Sequence, residues 1–307
     1  MRSRIDRGVE GRPRPEWVAR PERSNVLALR CIVWIALSLG RPAARLLLYP
    51  ICLYFLIFSA PARAASGKYL RKVLAGEPGL GERFRHYHTF ASILLDRAFL
   101  FNDQFARFDV RIYGEDIVVD TARRGEGCLL LGAHVGSFEM VRAVGRKYPG
   151  VRVSMVMYED NARQFNSVLG AINPSLSLMV IALGKMDSML KIDAALAQGE
   201  FVGVLGDRTI QGEGTVTCPF LGEQAHFPIG PFRMAAILQR PIVLMFGLYR
   251  GGNRYDVHFE RLVDMGQAPR AQRDPFLEAS LRRYVERLEH YCRLAPYNWL
   301  NFYDFWK

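Results

Sequence analysis

The sequence predicts an α/β protein: a single domain whose largely parallel or mixed sheet is covered by helices on both faces, preceded by an N-terminal membrane-anchoring helical segment. Three observations carry this expectation. From Lys68 onward, short apolar runs alternate with stretches of helical period, the pattern of strands joined by helical crossovers. Two of the runs, Cys128–Ala133 and Phe201–Leu205, are apolar almost throughout, as strands buried on both faces are. The charge is also lopsided. Residues 1–72 hold 14 Lys and Arg against 4 Asp and Glu, and the other 235 hold 27 against 26. A basic nucleic-acid-binding body is therefore excluded, because the folded part is nearly neutral.

The arm comes first. Residues 1–25 are rich in Arg and Pro, and two apolar stretches follow, Val26–Gly40 and Ala43–Ala60, split by Arg41-Pro42. Neither is an uninterrupted span of about 20 apolar residues. A secretory signal would place its apolar run earlier and a small-residue cleavage site behind it. Residues 1–66 are accordingly expected to form a membrane anchor and 67–307 a separately folding domain. Arg41, Arg45, Arg63 and their basic neighbours are expected at anionic head groups on the cytoplasmic side. One tilted helix, a hairpin and an interfacial pair all remain open, as does a helical pair packed on the domain.

The body then reads in order as helix over Gly81–Phe108, a strand at Val110–Tyr113, a helical stretch around Ile117–Val119, and the buried strand Cys128–Ala133. Helices at Ser137–Tyr148, Ala162–Ile172 and Lys185–Gln198 alternate with strands at Val151–Met157, Leu176–Ile181 and Phe201–Leu205. Helix Ile229–Gln239, strands Ile242–Tyr249 and Tyr255–Glu260, and a long amphipathic helix over Asp274–Arg293 complete the chain before an aromatic tail. Five scattered cysteines form no CxxC or His/Cys cluster, so neither a disulfide framework nor a zinc site is expected. His86 and His88 read as ordinary polar helix residues.

Chemistry concentrates where the buried strand runs into His134-Val-Gly-Ser-Phe-Glu139. The carboxyl end of a central strand is where α/β sheets place reactive groups. His134 falls in the strand-to-helix turn, Ser137 is a candidate N-cap, and Glu139 follows in the first turn. A carboxylate there can accept the proton on one imidazole nitrogen, which leaves the other free to take a proton from a hydroxyl. It would also raise the imidazole pKa above about 6.5. Gly132 and Gly136 flank the histidine, allowing a sharp turn and close approach of substrate. The chain lacks a G-x-S-x-G, so direct transfer onto a bound hydroxyl fits better than a covalent acyl-enzyme.

Four further segments follow in order: Val202-Gly-Val-Leu-Gly-Asp207-Arg208, Pro219-Phe-Leu-Gly222, Phe227-Pro-Ile-Gly-Pro-Phe-Arg233-Met-Ala235 and Ala295-Pro-Tyr-Asn-Trp299. Together with His134 and Glu139, this set resembles the bacterial lipid A biosynthesis (lauroyl/myristoyl) acyltransferase family, a branch of the H-x4-D/E lysophospholipid acyltransferase superfamily, over roughly residues 26–300. The resemblance implies His134 as general base and Glu139 as its orienting partner. Asp207 and Arg208 match the family's Asp-containing strand-end motif. Arg208 is then expected to hold an anionic group or the developing oxyanion, against the alternative of a structural ion pair with Asp207. Gly230 and Arg233 open the next helix, where N–H groups favour an anion such as a donor phosphate, against the alternative of a tight turn and a surface arginine.

The resemblance further implies an acyl donor on acyl carrier protein or coenzyme A, a hydroxyl acceptor on a membrane lipid or glycolipid, no metal or organic cofactor, and location at the bacterial inner membrane with the catalytic domain facing the cytoplasm. The tail Leu300-Asn-Phe-Tyr-Asp-Phe-Trp-Lys307 holds one cation and one acid, poorly suited to grip a bis-phosphorylated disaccharide. The segment Met157-Tyr-Glu-Asp-Asn-Ala-Arg163 and the extended Gly247–Arg254 resemble a subgroup of aryl polyene and pigment-pathway acyltransferases, with Arg163 a substrate contact. Lipid A or a lysophospholipid as acceptor stays an alternative, and a non-catalytic membrane scaffold is the reading from another class.

Overall fold

Every residue of strand β2, Cys128–Gly132, is buried, because it pairs in parallel on one side with β5, Phe201–Leu205, and on the other with β8, Pro241–Tyr249. These strands form the centre of a seven-stranded mixed sheet in the computed structural model, which describes residues 26–74, 76–148, 151–173, 180–184, 187–209, 214–267 and 273–307. Beyond β5 lie β3, Val153–Tyr158, and β4, Val180–Leu183, both parallel to it. Beyond β8 lies β9, Arg254–Asp264, antiparallel, with β1, Asp109–Tyr113, parallel to β9 at the edge.

Side-chain alternation along β2 divides the core between the two faces. Leu129 and Leu131 join Ile192 and Leu196 of α8 (Ser188–Ala197), Phe232 of α9 (Gly230–Leu238) and Leu281 and Leu288 of α10 (Arg273–Leu294). Cys128 and Leu130 join Phe99 of α4 (Leu80–Leu100), Val118 of α5 (Glu115–Arg123) and Val144 of α6 (Val141–Lys147). Each large side chain so buried contributes roughly 1.5–3 kcal/mol relative to exposure. Helix α7, Glu159–Ile172, connects β3 to β4. The α/β class and the two-faced cover are those the sequence predicts.

Several boundaries differ. The helix expected to reach Phe108 stops at Leu100: the Asn102 side chain donates to the Ala98 carbonyl, Asp103 turns into the left-handed region at φ 58°, and a 3-10 turn follows at Phe105–Arg107. The strand expected at Leu176–Ile181 runs over Val180–Leu183 and the helix expected from Lys185 starts at Ser188; residues 176–179 and 185–186 lie outside the described residues. An antiparallel hairpin of β6, Thr215–Phe220, and β7, Glu223–Pro228, was not anticipated. Its strand β6 does alternate, with Val216, Cys218 and Phe220 buried, but Pro219 on the outer side masks the pattern.

Of the arm, residues 1–25 lie outside the described residues. Helices α1, Val26–Leu39, α2, Arg41–Phe58, and α3, Ala60–Val73, follow, so the boundary expected at residue 66 falls inside α3. One stripe of α2, Ala44, Leu48, Cys52 and Leu56, is buried in the cluster that holds Ile93 and Phe99 of α4. The opposite stripe, Leu46, Leu53 and Ile57, is exposed. Among the described residues α2 is the helix long and apolar enough to cross a bilayer, with a mean hydropathy of 1.4. Arg41 was expected at lipid head groups. Instead its guanidinium is buried and grips Asp96 of α4 bidentately at 2.6 and 2.8 Å, donates to the Gly252 carbonyl, and shares Asp96 with the Tyr255 hydroxyl at 2.8 Å. A buried carboxylate is tolerated only when so paired, and the pair fixes α2 against the body.

Candidate active site

Strands β2 and β5 run parallel with a constant register, Cys128 opposite Phe201 and Gly132 opposite Leu205. Continuing each chain two residues past the last paired position brings His134 opposite Asp207. The two residues are hydrogen-bonded twice: ring Nδ1 lies 2.8 Å from Asp207 Oδ1, and the His134 backbone N–H donates to Oδ2 at 3.1 Å. Asp207 is 0% exposed, and Oδ2 also accepts from the Asn301 amide at 2.9 Å and the Trp299 indole at 3.3 Å. A carboxylate surrounded by four donors stays ionised. Burial alone would raise its pKa, but His134 and then Arg208 more than offset this and hold it well below the usual carboxylate range.

This corrects the pairing expected from the sequence. Asp207, and not Glu139, takes the Nδ1 side of the imidazole. Glu139 lies on the 3-10 turn Phe138–Met140, buried, where Oε1 is 2.8 Å from Arg97 Nε and Oε2 accepts from the Ser137 hydroxyl at 2.9 Å. Ser137 therefore makes no side-chain cap. The expected rise of the histidine pKa is reversed as well. Burial, and after it the charge of Arg208, lower it from 6.5; Asp207 acts against them and Arg97 with them. The ring is 26% exposed, and among the described residues no hydrogen bond reaches Nε2. Because ionised Asp207 can only accept, Nδ1 carries the proton and Nε2 its lone pair.

The loop that carries His134 is held by its backbone. Gly136 N–H donates to the Asn298 carbonyl, Ser137 N–H to the Gly247 carbonyl, and Leu300 N–H to the His134 carbonyl. At Gly136, φ is +65°, and a Cβ there would lie 1.9 Å from the Gly247 oxygen, so only glycine fits. Gly132 acts differently: the Phe138 ring fills the space where its Cβ would be. Tyr284 of α10 donates to the Gly132 carbonyl at 3.0 Å. Behind these lies His86, fully buried between the Ser66 hydroxyl at 2.9 Å and the Trp299 carbonyl at 2.8 Å. It is no ordinary surface histidine; burial pushes its pKa down to about 4.

The remaining expected residues divide. Arg208 is at the site, with Nε donating to the Asn301 side-chain oxygen at 2.9 Å and its guanidinium 5.7 Å from the Tyr303 ring centre. Asn301 thus bridges Arg208 to Asp207. Gly230 opens α9 and Arg233 is exposed above Gly214; Arg163 is exposed on α7. None of these three takes part in the hydrogen bonds around His134 and Asp207. Arg97, Asn298, Trp299 and Asn301 were not singled out as site residues, although the last three lie in or beside the segment Ala295–Trp299.

A strand-end histidine with a buried carboxylate behind it is an arrangement suited to proton transfer. No sequence among curated proteins matches the chain. Among solved structures, the crystal structure of the 1-acyl-sn-glycerophosphate acyltransferase PlsC from Thermotoga maritima is similar at 14% identity and a TM-score of 0.38, over 86% of this chain and 95% of that one. The family model described as bacterial lipid A biosynthesis acyltransferase matches residues 85–307, a stretch that takes in His134, Asp207 and Asn301 together. The chain belongs to the bacterial lipid A biosynthesis acyltransferase family and is an acyltransferase.

Proposed function

We propose that the protein moves an acyl chain from a thioester, on acyl carrier protein or coenzyme A, to a hydroxyl of a membrane lipid or glycolipid, with His134 as general base. The observation that carries this is the 2.8 Å contact of Nδ1 with ionised Asp207, with no hydrogen bond to Nε2 among the described residues. As the acceptor oxygen attacks the thioester carbonyl, a C–O bond forms, the carbonyl pair moves onto oxygen, and the hydroxyl proton passes to Nε2. Collapse restores the carbonyl and breaks the C–S bond, and the departing thiolate takes the proton back from Nε2. Asp207 stabilises the imidazolium formed in between.

The acyl chain is a fatty or polyene chain, and the acceptor is a lipid or glycolipid hydroxyl other than that of lipid A. The tail supports this, because its acid Asp304 is paired with Lys68 at 2.9 Å and its aromatic rings Phe305 and Trp306 pack against Phe220. Lipid A or a lysophospholipid is the second acceptor class. The exposed stripe of α2 supports a place at the inner membrane, with the site at its cytoplasmic face. Replacing the base tests the reading. His134→Ala lowers transfer from a radiolabelled acyl thioester by about 10²- to 10⁴-fold, with the fold intact by circular dichroism. An unchanged rate in the folded variant removes the mechanism.

A further inference from the structure

Glu139 has the spacing of a histidine's partner and a different occupation. Its carboxylate is 4% exposed and is directed to Arg97 Nε at 2.8 Å and to the Ser137 hydroxyl at 2.9 Å. A buried carboxylate needs a cation close by, and α4 supplies one from its last turn, four residues before Phe101. The cation is not consumed by the pairing. Guanidinium has five N–H donors; Nε stands 2.8 Å from Glu139 Oε1 in an ion pair without hydrogen-bond geometry, and no hydrogen bond runs from Nη1 or Nη2 to any described residue. The Arg97 side chain is 29% exposed, comparable with the 26% of His134. Its charge acts on the imidazole in the same direction as that of Arg208. His134 is hydrogen-bonded to one carboxylate, Asp207, and two guanidinium groups act on it: Arg208 from the end of β5, and Arg97 of α4, held at the loop of His134 by its ion pair with Glu139.

We propose that Arg97 is a catalytic residue of the transfer, its free Nη edge donating to the oxyanion that develops on the thioester carbonyl, and that Glu139 is the positioning residue that holds it there. This rests on the reading of His134 as base. A fixed cation beside a water-poor site stabilises charge that appears only in the transition state. The same group lowers the pKa of the base, which keeps His134 neutral at the start of each turnover. One guanidinium thus serves both requirements, and the H-x4-E acid acts through it instead of through the imidazole.

A double-mutant cycle tests this. Purified full-length protein in detergent is given dodecanoyl thioesters of acyl carrier protein and of coenzyme A, with a bacterial lipid extract as acceptor. Arg97→Ala is expected to lower kcat by about 10²- to 10³-fold with little change in KM for the thioester. Glu139→Gln is expected to lower it by roughly 10-fold, and to cost nothing further when Arg97 is already Ala. The rising limb of kcat/KM against pH moves upward in Arg97→Ala, since a cation beside the imidazole is gone, and stays in place in Glu139→Gln. If Arg97→Ala does not fold, Arg97→Lys decides: a lowered kcat with an unmoved limb supports the assignment, and a wild-type kcat overturns it. Equal losses from Glu139→Gln with and without Arg97 also overturn it. An active His134→Ala would instead remove the base itself, so the two failures are told apart.

Discussion

Replacing Asp207 with Asn changes one atom and tests the electrostatics of the site directly. The carboxylate accepts His134 Nδ1 on Oδ1 and three donors, His134 N–H, Trp299 indole N–H and Asn301 amide N–H, on Oδ2. An amide has one oxygen. Three donors pull it to the Oδ2 position, so the new NH2 group faces Nδ1. Nδ1 must then accept, the imidazole proton moves to Nε2, and the base holds its proton where it should receive one. Loss of the correct tautomer in a histidine-carboxylate pair lowers turnover by roughly 10⁴-fold. The assay is thioester-dependent acylation by purified Asp207→Asn, and nitrogen-15 NMR of labelled histidine reports which ring nitrogen carries the proton. The wild-type pH profile belongs to the same test. A neutral base is required, and its pKa is lowered, so the rising limb lies below 6.5 and activity is level from there to neutral pH. Near-normal turnover in Asp207→Asn with the proton still on Nδ1, or a limb above 6.5, would refute the argument.

Two other outcomes are expected. Buried His86 titrates at about 4 in the folded chain against 6.5 unfolded. Between those values only the unfolded chain binds the proton, so stability falls as pH drops, by about 2–3 kcal/mol at pH 4.5; denaturant titrations of wild type and His86→Gln at pH 7 and 4.5 check it, and an equal pH dependence in both would dismiss it. On α2, Leu46, Leu53 and Ile57 are 70, 50 and 54% exposed on one stripe. Three Asp substitutions there should weaken co-sedimentation with anionic lipid vesicles at least 100-fold, given about 1.5–3 kcal/mol per inserted side chain, while unaltered sedimentation would place lipid contact elsewhere.

The sheet was legible because its strands are short, apolar and separated by helical periods: Cys128–Gly132 and Phe201–Leu205 lie where the apolar runs are. The hairpin at 215–228 was hidden by Pro219, which an outward-facing position tolerates. His134 was legible from its place at a strand end. Its partner was not, because H-x4-E measures distance along the chain and the hydrogen bond runs across the sheet, from the end of β2 to the end of β5. The signal that finds Asp207 is a matched pair of buried strands with a polar residue two positions beyond each. Arg97 and Asn301 had no such signal, since α4 and the tail meet the site only through tertiary packing. Arg41 misled for a related reason: composition marks it as a head-group contact, and only packing reveals Asp96 beneath it.

The segment Asn298–Asn301 gives the site a timetable. His134 is translated more than 160 residues before two of the three backbone groups that clamp its loop, those of Asn298 and Leu300, and before the amide and indole that satisfy Asp207. While the chain is being synthesised, β2 and β5 can pair, yet the carboxylate between them lacks two of its donors and the histidine loop is untethered. A contact of such sequence separation closes late. A chain made as far as β9 therefore carries every strand of the sheet while Asp207 still lacks its Trp299 and Asn301 donors.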